Sequence, residues 1–235
     1  IFYCSRTHSQ LTQFINELRL PKFLSFIETE RGRTCDIEEI KHITLGSRKN
    51  LCINPTVQKL GSLISINDRC MELQNSSPSK VQKCLFLPNE ENRHLVNTFR
   101  DHSLANIRDI EDMYTLGKEI SICPYYASRS AIKPAEIVTL PYPLLLQKSA
   151  REAIGINLKG HIVIIDEAHN LMNAISNING VQISLQQIKQ ARAQLGTYLQ
   201  KFRSRLKGKN RVYIAQVLRV IDSLSAYLEA RLLDK

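Results

Sequence analysis

Two carboxylates, Asp166 and Glu167, stand side by side after the run Ile162, Val163, Ile164, Ile165 and just before Ala168 and His169. Four consecutive β-branched residues predict a parallel strand buried on both faces, which delivers Asp166 to the carboxyl edge of a sheet. A carboxylate at that edge holds Mg2+, usually through water, against the β and γ phosphates of a nucleotide. Glu167, next along the chain, orients the attacking water and takes its proton. His169 then couples the state of the nucleotide to neighbouring segments. A strand ending in Asp-Glu is common by chance; the complete order D-E-A-H after such a run points to nucleotide hydrolysis.

That chemistry also needs a cradle for the phosphates. The pattern G-x-x-x-x-G-K-[ST] occurs nowhere in the 235 residues; LGKE at 116–119 and KGKN at 207–210 lack the glycine spacing and the Ser or Thr. The sequence opens on the strand-like IFYC rather than on a methionine. We therefore expect an internal piece of a longer protein, with its phosphate loop upstream, and expect these residues alone to hydrolyse no ATP.

Cysteines are the second chemical signal. Six lie at 4, 35, 52, 70, 84 and 123, and the last four are separated by 17, 13 and 38 residues. No close C-x2-4-C pair of a zinc finger or ribbon is present. Wide spacing needs a folded scaffold to gather the thiolates, which can then bind zinc or an iron–sulfur cluster; Cys123-Pro124 matches the Cys-Pro that closes many cluster-binding runs. Spacing alone leaves both open, along with scattered buried cysteines. Cys4, inside a strand, reads as a core residue, and Cys35 has no assignment. Nothing else suggests secretion, so three disulfides are not expected.

The elements that must position these residues follow from periodicity. Residues 1–4 predict a strand and Leu11, Phe14, Ile15 and Leu18 the inner face of a helix, with SRTHS between them at the carboxyl edge. Residues 21–42 show no strong period, HITLG predicts a second strand breaking at Gly46, and 53 to about 104 is irregular, with a polar surface loop over 72–83. A helix is predicted over 104–119, a buried strand with a Pro-broken turn over 136–146, and two long helices after Gly180. No run reaches the roughly 18–20 apolar residues of a membrane-spanning helix.

Composition fits a globular protein with a nucleic-acid partner: 43% hydrophobic, 23% charged, and a formal net charge of +10 from 32 Lys and Arg against 22 Asp and Glu. Between 201 and 211 stand Lys201, Arg203, Arg205, Lys207, Lys209 and Arg211 with no acid among them, either a solvated helix end or a contact to a phosphate backbone.

Six stretches in order, YCSRTHSQL, LGSRKNLCIN, INDRC, LGKEISICPYYASR, LPYPLLL and VIIDEAHNL, resemble the XPD-like superfamily 2 DNA helicases that carry an iron–sulfur cluster, and within them the ChlR branch linked to sister-chromatid cohesion. The resemblance covers residues 1 to about 180 closely and the helical remainder loosely. It implies an α/β fold: a partial parallel-sheet, RecA-like motor domain (1–50 and 126–180), an inserted helical iron–sulfur domain (51–125) and the start of a helical arch domain (181–235). It implies a 5′-to-3′ DNA helicase using ATP and Mg2+, with Asp166, Glu167 and His169 in the roles above and Cys52, Cys70, Cys84 and Cys123 ligating a [4Fe-4S] cluster. Arg6 and Thr7 would touch the backbone of the translocating strand, Arg48 and Lys49 would lie beside its path, and Tyr125, Tyr126 and Arg129 would stack on bases or bind phosphate. Single-stranded and forked DNA, replication-fork and cohesion proteins, and a nuclear location complete the expectation. A zinc-stabilised binding module without enzymatic activity and a DEAH-box RNA helicase are the alternatives; the first leaves D-E-A-H a coincidence, the second leaves the four cysteines unexplained.

Overall fold

The computed structural model describes residues 1–29, 32–75 and 83–233, and only the backbone of those among residues 23–38 and of 232–233. The chain divides into two units, Ile1–Ile178 and Asn179–Lys235.

The strands described in the first unit are β1 (Phe2–Ser5), β2 (Phe23–Thr29), β3 (Gly32–Glu38), β4 (His42–Thr44), β5 (Ile137–Pro141) and β6 (Val163–Ile165). Four of them form a parallel sheet in the order β4-β5-β1-β6. In register, Cys4 stands between Leu140 and Ile165, so β1 and β6 end at one edge. Phe2, Cys4, Ile43, Leu45, Val138 and Leu140 seed the main core.

The expected full burial of the β6 run is not what the structure shows. β6 is an edge strand, and Ile162, Val163 and Ile164 are 63%, 37% and 43% exposed. Consecutive apolar residues show that both faces suit burial; they do not say which element covers them, and among the described residues none covers this side.

Residues 21–42, without a strong period, contain the antiparallel pair β2–β3, in register from Phe23↔Glu38 to Thr29↔Gly32. Backbone pairing defines that ribbon and does not require apolar alternation. Cys35 falls on β3, and its side chain lies outside the described residues.

Helices cover the sheet and build the segment between β4 and β5. They are α1 (His8–Leu18), α2 (Arg48–Leu51), α3 (Pro55–Gln58), α4 (Leu63–Asn75), α5 (Arg93–Leu104), α6 (Ile110–Ile120), α7 (Pro124–Ala127), α8 (Arg129–Ile132), α9 (Tyr142–Leu146), α10 (Lys148–Ile154) and α11 (Leu171–Asn179). The helix expected over 104–119 is thus the end of α5 and all of α6. Asp109 starts α6, its carboxylate accepting from Asp112 N at 2.9 Å in a reciprocal capping box. Of the loop expected at 72–83, residues 72–75 continue α4, and 76–82 lie outside the described residues. The turn at 142–146 is a short helix with Pro143 in its first turn.

In the second unit, α12 (Leu185–Lys201) and α13 (Gly208–Leu233) pack as a hairpin. Ser184 caps α12, and Lys189–Glu229 (2.6 Å) and Arg192–Asp222 (2.8 Å) cross between the helices. These exposed pairs contribute little energy. Lys201 to Arg211 occupy the junction.

Candidate active site and cysteine pocket

The carboxyl ends of β1 and β6 build the acidic site. Asp166 N donates to Cys4 O at 2.9 Å, so the backbone keeps pairing with β1 one residue past the strand. Ser5, fully buried, lies with Oγ 3.2 Å from Asp166 Oδ2 and 2.8 Å from Gln10 Oε1; its single proton serves one acceptor at a time. The Tyr3 ring stacks on Phe14 at 3.8 Å, and its phenol donates to the Asp166 carboxylate. Burial and that carboxylate push Tyr3 up to about 12, which keeps it a donor. Burial, then Asp166, lifts the Cys4 thiol to about 11.

Glu167 has φ +52°, in the left-handed region that non-glycine residues seldom adopt. Such geometry costs on the order of 1–3 kcal/mol and persists where the surroundings impose it. Here Tyr142, its side chain buried, donates to Asp166 O and lies 3.0 Å from Glu167 O. Asn170 N donates to Glu167 O at 2.9 Å, closing a 3-10 turn over Ala168–Asn170. The turned backbone aims the Glu167 carboxylate at His169, Nδ1 to Oε2 3.0 Å.

Of the strand-binding candidates, Arg6 stands in this site: exposed, it donates to Asn170 Oδ1 at 3.2 Å. Thr7 is the N-cap of α1 in a capping box with Gln10, so its hydroxyl serves the helix. Arg48, Tyr125, Tyr126 and Arg129 come together elsewhere in the same unit. Arg48 lies 4.5 Å over Tyr125 and donates to Tyr126 Oη at 3.0 Å; Arg129 lies 4.6 Å over Tyr126. Both rings are therefore engaged by the chain's own guanidinium groups, a cation–π arrangement. Lys49 is exposed beside them in sequence.

Cys52, Cys70, Cys84 and Cys123 line one cavity of about 20 Å3 together with Asn54, Gln74 and Tyr126, room for about one water. Cys52, Val57, Ile66 and Leu73 form a small core of their own, with Cys84 packed against it. Two amides donate to sulfur: Asn54 Nδ2 to Cys84 at 3.3 Å and Gln74 Nε2 to Cys70 at 3.4 Å. Burial pushes Cys123 up to about 12 and Cys52 upward, which keeps these two sulfurs protonated.

The four cysteines expected as metal ligands thus share one pocket without forming a closed metal site. Among the described residues, no group of three or more His, Cys, Asp or Glu is gathered tightly enough to hold a metal ion. A zinc ion draws its sulfurs to about 2.3 Å, whereas a cluster is ligated through separate irons. Four thiols in one pocket with amide donors to sulfur suit cluster chemistry, and the pocket must widen to admit it.

Sequence reasoning missed Tyr3, Ser5, Tyr142 and Asn170. The only trace of Asn170 is its place after D-E-A-H; Tyr142 sits in LPYPLLL, where its hydroxyl reads as ordinary strand composition.

Comparison with known proteins follows the same lines. The DEAD_2 family model matches residues 3–188. A protein of Sclerotinia sclerotiorum named ATP-dependent DNA helicase CHL1 is 67% identical over 204 residues, covering 87% of this chain and 23% of that protein. Its namesake in Aspergillus clavatus is 58% identical over 237 residues, covering 98% of this chain and 32% of that protein. The chain therefore spans less than a third of the length of these relatives. A solved structure titled XPD_Helicase overlays with a TM-score of 0.49 at 18% identity, covering 97% of this chain and 39% of that one, too distant a likeness to argue from.

Proposed function

The chain belongs to the DEAD_2 family, and on that premise we propose that it is the part of an ATP-dependent DNA helicase that carries the hydrolytic carboxylates and a strand contact. The observation that carries this is the shared edge of β1 and β6: Asp166 and Glu167 stand there with Arg6, linked through Asn170 and His169.

Mg2+ with ATP supplies the charge neutralisation and the electrophilic phosphorus when bound. Asp166 would hold the ion, its carboxylate oriented by the Ser5 hydroxyl and the Tyr3 phenol. Glu167 takes the proton of the attacking water. His169 orients the Glu167 carboxylate from the side, and Tyr142 holds the backbone that aims it. Arg6 offers guanidinium donors to a backbone phosphate without reading sequence.

We further propose that Cys52, Cys70, Cys84 and Cys123 hold a [4Fe-4S] cluster in the parent protein. The amide donors of Asn54 and Gln74 to sulfur support this, because such hydrogen bonds tune cluster potential. Arg48, Lys49, Tyr125, Tyr126 and Arg129 would line the path of single-stranded DNA. Translocation 5′ to 3′, action at forks in replication, repair and sister-chromatid cohesion, and a nuclear location rest on the resemblance to the ChlR branch.

Glu167→Gln in the full-length protein tests the hydrolytic assignment. Loss of a positioned base lowers the DNA-stimulated ATPase rate about 100-fold or more while DNA binding persists; an unchanged rate would return the chain to the binding-module alternative.

A further inference from the structure

Three contacts join four side chains from Arg6 to Glu167 with consistent polarity. Arg6 Nη1 donates to Asn170 Oδ1 at 3.2 Å, Asn170 Nδ2 meets His169 Nε2 at 2.9 Å, and His169 Nδ1 meets Glu167 Oε2 at 3.0 Å. A guanidinium has only donors, so Arg6 requires the amide oxygen on its own side. That choice turns the amide N–H toward His169, and Nε2 must accept. The remaining proton of the neutral imidazole is then on Nδ1, where the Glu167 carboxylate accepts it.

We propose that Asn170 is a positioning residue: it fixes the His169 tautomer that faces Glu167 and ties that choice to Arg6. This rests on the assignment of Glu167 as the base. The turn holds Asn170 beside that ring, since its backbone N–H donates to Glu167 O at 2.9 Å and its Nδ2 lies 3.4 Å from the same carbonyl. An aspartate at 170 would keep an acceptor for Arg6 but offer no donor to Nε2, so it separates the tautomer role from simple anchoring of Arg6.

The experiment measures steady-state ATPase activity of the full-length protein at saturating single-stranded DNA for Asn170→Ala, Asn170→Asp, His169→Ala and the His169→Ala/Asn170→Ala pair. Asn170→Ala and Asn170→Asp are each expected to lower kcat about five- to tenfold with KM for ATP little changed. In the His169→Ala background Asn170→Ala is expected to cost nothing more, because it acts through that ring. Wild-type kcat in Asn170→Asp, or independent and multiplying losses in the double variant, would overturn the proposal. Wild-type activity in Glu167→Gln would instead remove the assignment of the base on which the proposal stands.

Discussion

Backbone strain at Glu167 is where chemistry and geometry meet most closely. A glutamate with φ +52° is held there by the Tyr142 hydroxyl and the Asn170 N–H. Removing the hydroxyl should let the turn relax and misaim the carboxylate. Tyr142→Phe is accordingly expected to lower DNA-stimulated kcat about tenfold, and to cost about 1–1.5 kcal/mol of stability for the lost hydrogen bond. Steady-state kinetics and denaturant unfolding of the variant check both; wild-type kcat would show that the strain is maintained without Tyr142. At this scale the sequence revealed what its residue types announce. D-E-A-H is visible because its chemistry is concentrated in adjacent letters, whereas Tyr3, Ser5 and Tyr142 reach Asp166 and Glu167 from other parts of the chain. Their hydroxyls carry no pattern that separates them from any strand or helix hydroxyl.

Among the elements, the sheet conceals a titratable group. His42 on β4 is fully buried, 3.0 Å from Thr139 Oγ1, with Thr44 closing the group against Arg108 O. Burial, with Arg19 adding to it, depresses His42 to about 4. A depressed group favours the fold fully above its unfolded value near 6.5 and progressively less as pH falls toward the folded value. Unfolding free energy should therefore drop by up to about 3 kcal/mol between pH 6.5 and 4 from this residue. His42→Val, whose side chain has no proton to gain, should flatten that segment of the curve in urea titrations; an equally steep curve would assign the effect elsewhere.

Gly117 tells a related story at the same scale. LGKE has the letters of half a phosphate loop, but a Cβ at Gly117 would stand 2.1 Å from Pro124 Cγ and 3.0 Å from Ile122 O. The glycine lets α6 pack against the proline that follows Cys123. Gly117→Ala is expected to destabilise the chain by about 1–3 kcal/mol by pushing Pro124 away from α6. A melting temperature equal to wild type would contradict it. Periodicity located α1 and the α12–α13 pair because each helix presents an apolar face, and β5 because its short apolar run ends at a proline and is buried on both faces. It left α5 inside the irregular stretch 53–104 and began the next helix at 104, because Leu104 and Ile107 continue the spacing of Ile110 across the Asp109 capping box. It assigned no strand to 21–42 because the β2–β3 ribbon is defined by backbone pairing.

For the whole molecule, the net charge of +10 and the guanidinium groups near Tyr125 and Tyr126 make phosphate the natural counterpart. The 235 residues by themselves are expected to bind single-stranded oligonucleotides weakly, with affinity falling steeply between 50 and 200 mM salt, and to hydrolyse no ATP. Fluorescence anisotropy across a salt series and a phosphate-release assay check the pair; salt-independent binding would contradict an electrostatic interface. Fold class was legible from alternating strand and helix signals, and the family from six ordered motifs. The exposure of β6 was not, because burial is a property of neighbours and the apolar run records only a preference.

Fork unwinding by the full-length protein with ATP and Mg2+, wild type beside Glu167→Gln on matched DNA and RNA forks, tests the proposed DNA helicase activity. Wild type is expected to open the DNA fork, Glu167→Gln to bind it without opening it, and the RNA fork to remain closed. Unwinding by Glu167→Gln at the wild-type rate, or preferential opening of the RNA fork, would contradict it.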